Sequence, residues 1–473
     1  MNLQSLQELI KEKEVKNIDL KYVDLVGRWY HINFPARRLE YVMENGIPFD
    51  GSSIPGMRNV ESGDLILMPD LSTARYDTFN PNPTVQIICS IREADSPAGY
   101  KKDPRSVAQR AFDYLKESGI ADEMLWIPEF EFNLLSEAVY YNTKHKAGYR
   151  FSTMENKEAL PFEYEDPDAT ALTHRKGYHL DRPYDRNAHV REEISDYIEE
   201  NICPIRYHHH EVGISSQQEI ETELSPFPAI ADNIMYIKSA IQQIALKHGL
   251  AATLMPKPMY GEAGNGMHFH MLLKKNGKNV LYEKGGYADL SEVALHFIGG
   301  ILYHGKSLVA LTNPSTNSFK RLLPGFEAPV KLIFGLANRS AAIRIPKYAT
   351  TEENKRFEFR TGDATCNPYL ATSALIMAGI DGVKNKIDPT ANNNGPFDEN
   401  IFAWSEEKRN ALPAIPANLE DALQELKKDH DYLLEGGVFS EMLIDGLIEE
   451  KMKEVVAVNE RPTPYEMNLY FNL

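Results

Sequence analysis

The sequence predicts an α+β protein, a small β-rich segment followed by a larger mixed one, and three observations carry that expectation. Residues 17–91 are patterned as strands: "NIDLKYVDLVGRWYHINFP" alternates polar and apolar positions, and "TVQIICSIR" is a continuous β-type run. From "SVAQRAFDYLKESG" onward, helical periodicity alternates with short β runs. Between the two lies "READSPAGYKKDPRS" (92–106), rich in Pro, Gly and charge, which reads as a boundary and divides the chain into 1–104 and 105–473.

Taken in order, "MNLQSLQELIKEKEVKN" reads as an amphipathic helix, with charges throughout and no signal-type apolar stretch. "FDGSSIPGM" is a turn-rich loop inside the β segment. Residues 136–176 are polar and weakly patterned, so a long surface insertion is expected there, and "TANNNGPFDEN" (390–400) reads as a second loop. Residues 418–459 are helical, with Asn418 as a cap, Asp421 in the first turn and Gly436 as a stop.

The chain has 473 residues, 42% hydrophobic and 25% charged, enough for a large core. Acidic residues exceed basic ones, 68 to 51, for a formal charge of −17 with no Lys/Arg block. That balance argues against nucleic acid or an anionic membrane as the partner. No run approaches the ~18 apolar residues of a membrane span. The three cysteines, Cys89, Cys203 and Cys366, are too far apart for a CxxC site or a disulfide framework, which points to the cytoplasm.

Four short β-like segments share one grammar. "EFEF" carries Glu129 and Glu131, "EIETEL" carries Glu219 and Glu221, "MHFHM" carries His268 and His270, and "RFEFR" carries Glu358 and Arg360. Alone, each reads as an antiparallel strand with one wet face. Together they alternate apolar side chains with carboxylates and imidazoles rather than with Ser, Thr or Lys. If such strands line one cavity, crowded carboxylates either take up protons or are neutralised by divalent cations. Oxygen-rich ligation with an imidazole and no Cys suits Mg²⁺ or Mn²⁺ and not structural zinc. Hard cations beside arginines are machinery for phosphoryl transfer. Arg321 and Glu327 lie in "NPSTNSFKRLLPGFEAP" (313–329), a proline-bracketed loop that reads as a flap or as a rigid loop, and Arg339 and Arg344 lie in "ANRSAAIRIP".

Several longer motifs, ordered along nearly the whole chain, resemble those of type I glutamine synthetases: "FDGSS", "PEFEF", "HHEV", "MPKPM", "GMHFH", "NPSTNSFKRLLPGFEAP", "NRSAAIRIP" and "NPYLA". The resemblance implies a small N-terminal β-grasp-like domain and a catalytic domain of the glutamine synthetase/guanidino kinase-like kind. In the latter a curved antiparallel sheet lines the active site and helices flank it. It implies ATP-dependent amidation of L-glutamate by ammonium through γ-glutamyl phosphate, with two or more Mg²⁺ or Mn²⁺ per site. Glu131, Glu211 and Glu219 match the ligands of the metal that organises glutamate, and Glu129, His268 and Glu358 those of the metal on the nucleotide. His270, Arg339, Arg344 and Arg356 match ATP contacts. Arg321, Arg360, Gly264 and Tyr178 match the glutamate and ammonium region. Asp50 matches the group that deprotonates ammonium, and Glu327 the flap carboxylate. The family assembles as a double hexameric ring whose active sites are shared between neighbours, and some members bind small regulatory proteins.

Departures from the pattern are local. Ala263 replaces an Asn of the glutamate loop, and Asn265 is expected to supply the lost amide. Gly362 stands where many relatives have Pro, and Glu353 where a Lys is common. Phe402 occupies the position of the tyrosine modified in adenylylated relatives, and no Tyr occurs from Asn393 to Asp431, so adenylylation is not expected. Asn59 with Arg58 leaves glutamine feedback open. Two rival readings stand beside the synthetase: a sister ligase that joins glutamate to a larger amine, and a non-catalytic relative that kept the fold.

Overall fold

A computed structural model describes residues 2–155, 176–323 and 328–473. The first strands are β1 (Asn17–Val23), β2 (Trp29–Pro35), β3 (Ile47–Asp50), β4 (Asp64–Pro69), β5 (Arg75–Tyr76) and β6 (Thr84–Glu93). They form one sheet in the order β2-β1-β6-β4-β3, with β5 on β6. The β1–β6 pair is parallel, and β1–β2, β4–β6 and β3–β4 are antiparallel. Ile18, Leu20, Leu65, Leu67, Val85 and Ile87 are buried beneath it with Leu6 of the helix Leu3–Glu12. Asn2 caps that helix by accepting from the Ser5 amide.

The remaining strands are β7 (Glu123–Leu135), β8 (Glu137–Asn142), β9 (Ala147–Ser152), β10 (Ile205–His210), β11 (Gln217–Thr222), β12 (Ser225–Pro226), β13 (Ala251–Thr253), β14 (Met267–Lys275), β15 (Lys278–Asn279), β16 (Lys331–Leu336), β17 (Ala341–Ile345) and β18 (Phe357–Phe359). All but β8 and β9 build a curled sheet whose spine runs β10-β11-β7-β14-β18-β17-β16. Its spine is antiparallel except at β16–β17, which pair in parallel. One face carries Phe130, Phe132, Phe269, Phe357 and Phe359 into a core shared with the helices Glu292–Tyr303 and Pro368–Lys384. Each such phenyl ring contributes roughly 1.5–3 kcal/mol of burial. That load fixes the register of the strands, because a one-residue slip would move every Phe to the polar face.

In the surface insertion expected at 136–176, β8 and β9 form a hairpin with exposed Tyr140, Tyr141 and Tyr149, and residues 156–175 lie outside the described residues. Two expectations are corrected here. The flap segment is not all loop, since Ser318–Arg321 forms a helical turn begun by Ser315 Oγ, which accepts from the Ser318 amide. Gly436 does not end the helix capped by Asn418. That helix stops at Lys428, and Gly436, at φ 61°, turns the chain after the short helix Asp431–Leu434.

The two sheets are tied by Arg105, from the first turns of the helix Pro104–Glu117. Its Nη2 donates to Asp70, just after β4, at 2.6 Å and to Asp232 of the helix Ala229–Lys247 at 2.9 Å, and its Nε donates to Asp232 at 3.0 Å. Because two fixed carboxylates share one planar guanidinium, the link sets an orientation as well as a distance.

Candidate active site

Strand register builds the site. Glu131 sits opposite Glu219 and Glu129 opposite Glu221 across β7–β11. On the other side of β7, His268 sits opposite Glu129, and His270 is paired with Glu358 across β14–β18. Arg344 of β17 completes the row opposite Glu358. Directly opposed side chains on one sheet face lie ~5 Å apart, and like charges there repel. The polar face of this sheet is therefore a wall of negative charge waiting for cations, and it bounds a cavity of about 620 Å³.

Some of the neutralising charge is built in. Burial by itself would raise Glu129, but hydrogen bonds from His268 Nδ1 (2.9 Å) and His270 Nε2 (2.8 Å) hold it well below the usual carboxylate range. Glu358 is buried too, and the guanidiniums of Arg360 (Nε, 3.0 Å) and Arg344 lower it. The imidazole nearest Glu219, that of His209, stands farther off, with Nε2 3.4 Å from Oε1. Burial, then the charges of Glu129, Glu131, Glu221 and Glu358, push it well above the ordinary value.

Among the described residues, two sets of ligand atoms converge within 4.8 Å: Glu129, His270 and Glu358, and His209, Glu211 and Glu219. His268 stands beside the first set, 3.8 Å from Glu358 and 3.9 Å from Glu131. Glu131 stands beside the second and accepts from the Gly266 amide at 2.5 Å. Carboxylate oxygens with an imidazole or two fit a divalent cation of the Mg²⁺ or Mn²⁺ type. Burial and the four neighbouring carboxylates that raise Glu219 are the setting in which a divalent cation would supply balancing charge.

The sequence-predicted residues are mostly gathered here. Glu129, Glu131, Tyr178, Glu211, Glu219, Gly264, His268, Arg321, Arg339, Arg344, Glu358 and Arg360 line the cavity. Arg321 is anchored by the carbonyls of Thr361 (2.8 Å) and Gly362 (3.2 Å) and points Nη2 at His268 Nε2, 3.3 Å away. A Cβ on Gly264 would meet Pro256 O at 2.4 Å and Arg321 Cγ at 2.7 Å, so only glycine fits beside that arginine. Tyr178 stacks on His179 with centroids 4.0 Å apart.

Other residues are placed differently. His270 is fully buried beneath Glu129 rather than on the cavity surface, and Arg356 is buried behind Tyr348. Asp50 is exposed and outside its own chain's cavity; hydrogen bonds from the Ser52 hydroxyl (2.6 Å), the Ser52 amide (2.8 Å) and the Ser53 hydroxyl (2.9 Å) lower its pKa. Glu353 lies in an exposed turn away from the cavity. Glu327 lies outside the described residues. The amide expected from Asn265 is not offered to the cavity. That side chain is buried and already bonded to Asn133 Oδ1 (2.8 Å), Met255 O (3.0 Å) and Gln217 Nε2 (3.0 Å). Sequence reasoning missed His209, which the "HHHE" run could have signalled.

Two family models match the chain: the glutamine synthetase β-Grasp domain over residues 14–94 and the glutamine synthetase catalytic domain over 101–470. The glutamine synthetase of Azotobacter vinelandii is 42% identical over 471 residues, covering 98% of this chain and 99% of its own. That of Pseudomonas aeruginosa is 40% identical over 472 residues, with coverage of 98% and 99%. Among solved structures, glutamine synthetase of Plasmodium falciparum superposes with a TM-score of 0.90 at 27% identity, over 99% of each chain.

Proposed function

The chain belongs to the glutamine synthetase family and makes glutamine from glutamate and ammonia with ATP, and from that premise we propose how its cavity divides the work. A γ-carboxylate oxygen of glutamate bonds to the γ-phosphorus of ATP as the bond to the bridging oxygen breaks, giving ADP and γ-glutamyl phosphate. Ammonia then bonds to the acyl carbon, and phosphate leaves. The in-register row of Glu129, Glu131, Glu219 and Glu358 beside Arg321, Arg344 and Arg360 is the observation that carries this reading.

Glu131, Glu211 and Glu219, with His209 in reach, would hold one divalent cation, and Glu129, His268 and Glu358, with His270 behind them, another. When bound, these ions supply charge neutralisation to the phosphates and to the attacking carboxylate. Arg321 and Arg360 hold glutamate and the transferred phosphoryl group. Arg339, Arg344 and Arg356 hold ATP, with His270 orienting Glu129. Gly264 leaves its backbone open to glutamate, and Tyr178 borders the ammonium position. Ammonium is no nucleophile until a carboxylate takes a proton from it. Asp50, kept ionised by three hydrogen bonds, binds that cation for a neighbouring subunit, and Glu327 shields the acyl phosphate from water and accepts the second proton.

Members of this family act as oligomers, and we place this chain in a double hexameric ring. Asp50 turned away from its own cavity supports sharing between subunits. So does the helix Pro464–Tyr470, which buries none of its residues and leaves Tyr465, Tyr470 and Phe471 exposed. We take 1–104 and 105–473 as the two domains, the cytoplasm as the setting, and Phe402 as the reason the chain is not adenylylated. No single helix among the described residues is long and apolar enough to cross a membrane.

Phosphate release from ATP, Mg²⁺ and glutamate, with ammonium compared against a panel of amines, tests the reading. Ammonium is expected to be the preferred amine. Turnover with methylamine or a polyamine and not with ammonium would establish the sister ligase, and silence with every amine the non-catalytic relative.

A further inference from the structure

β10 and β11 do not pair evenly. Ile205 faces Thr222, yet the next registered pair is Tyr207 with Glu221, so the ladder carries a bulge at Arg206. A bulge sets two residues against one and re-aims a side chain. Here Arg206 and Tyr207 together oppose Glu221.

Glu221 is fully buried, directly across from Glu129. A buried carboxylate beside another needs a cation, and Glu221 Oε1 takes it from Arg206 Nη1. The pair is lopsided: Glu221 exposes nothing, whereas Arg206 exposes 30% of its side chain. The carboxylate thus grips one edge of the guanidinium, and the rest reaches toward the Tyr348 hydroxyl and solvent.

What Arg206 turns toward is already cationic. Its guanidinium stands 5.5 Å from the ring centroid of Tyr348, and those of Arg356 and Arg344 stand 5.3 Å and 6.0 Å from the same ring. Tyr348 is half exposed and lines the cavity. Arg344 has Glu358 as partner, but Arg356, almost fully buried, has no carboxylate partner and its Nε no hydrogen-bond partner among the described residues. Three guanidiniums on one ring repel one another, and Arg356 has no ion-pair partner of its own among the described residues. The cluster calls for a further anion.

We propose that Arg206, aimed by the bulge and held by Glu221, is a further nucleotide-binding residue that contacts the phosphates of ATP and ADP together with Arg344 and Arg356. Glu221 is its positioning residue. This rests on the nucleotide reading of that end of the cavity.

The test is ADP binding by calorimetry in the presence of Mg²⁺, alongside Michaelis constants for ATP and glutamate, on the wild type and on Arg206→Ala, Arg206→Lys, Glu221→Gln and Arg344→Ala. Arg206→Ala is expected to weaken ADP and raise the ATP KM about tenfold, the loss of a charge-assisted contact. The glutamate KM stays within about twofold, which also reports an intact fold. Arg206→Lys should recover part of the loss, and Glu221→Gln should show a smaller loss of the same kind. ADP affinity unchanged in Arg206→Ala but weakened in Arg344→Ala overturns the role of Arg206 and leaves the nucleotide end in place. Affinity unchanged in both overturns the nucleotide reading itself. Equal losses for glutamate and ATP assign the Arg206–Glu221 pair to structure and overturn the proposal.

Discussion

The two ends of the carboxylate wall differ in who supplies the positive charge. Around Glu129 and Glu358 the protein does: His268 and His270 on one, Arg344 and Arg360 on the other. Around Glu219 the neighbours are mostly more carboxylate, and a proton or a cation must do it. Yet both ends are written in the same strand grammar, and Glu129 and Glu131 are two residues apart on one strand. The lesson is that a residue's task is set by what stands across the sheet from it. Both face a glutamate of β11, but only Glu129 also has a histidine, His268, opposite it on β14.

The largest expected effect breaks the comparison at its centre. Glu129→Ala and Glu131→Ala should each cost about 10²–10³ in turnover, a loss of the order seen when one charge-stabilising group is removed. Initial-rate kinetics should separate them, with the first losing mainly in ATP use and the second mainly in glutamate affinity. Identical profiles would mean that the two ends are one site.

A middle-sized effect is expected from Gly264→Ala. The added methyl collides with Pro256 O and Arg321 Cγ, at a cost of about 1–3 kcal/mol and a displaced Arg321. The glutamate KM should rise about tenfold while ADP affinity holds. An equal loss for the nucleotide would show that the ends are not separable through Arg321.

The smallest effect concerns the unneutralised end alone. In metal-free protein the raised pKa of Glu219 means that the folded state binds more protons than the unfolded one between the ordinary glutamate value and its own. Stability therefore falls as pH rises through that window, and Glu219→Gln removes the slope. At pH 7 with chelator, Glu219→Gln should melt about 2 °C above the wild type. Added Mn²⁺ should stabilise the wild type and the variant unequally. A variant no more stable than the wild type without metal would show that Glu219 is neutralised by the protein.

Particular residues show where sequence was sufficient. Alternation in "EFEF" placed Glu129 and Glu131 on one face and Phe130 and Phe132 on the other, and the structure keeps that division. It failed for Asn265, whose neighbours Asn133 and Gln217 come from distant strands and take up its amide. The surface position of 137–152 was legible, but not its pairing as a hairpin, because its weak patterning marks no strands.

The sequence by itself determined the alternation of the site-lining strands, the burial of their phenylalanines and the family, because each rests on periodicity or on an uninterrupted motif. Only the tertiary structure decided the pairing: which carboxylate faces an imidazole, which faces its own kind, and where a bulge at Arg206 turns a guanidinium toward Tyr348. The reason is physical. A side chain's face is fixed locally by the two-residue period of a strand. Its charge environment is fixed by register with strands as much as 229 residues away, as between Glu129 of β7 and Glu358 of β18, which no local pattern encodes.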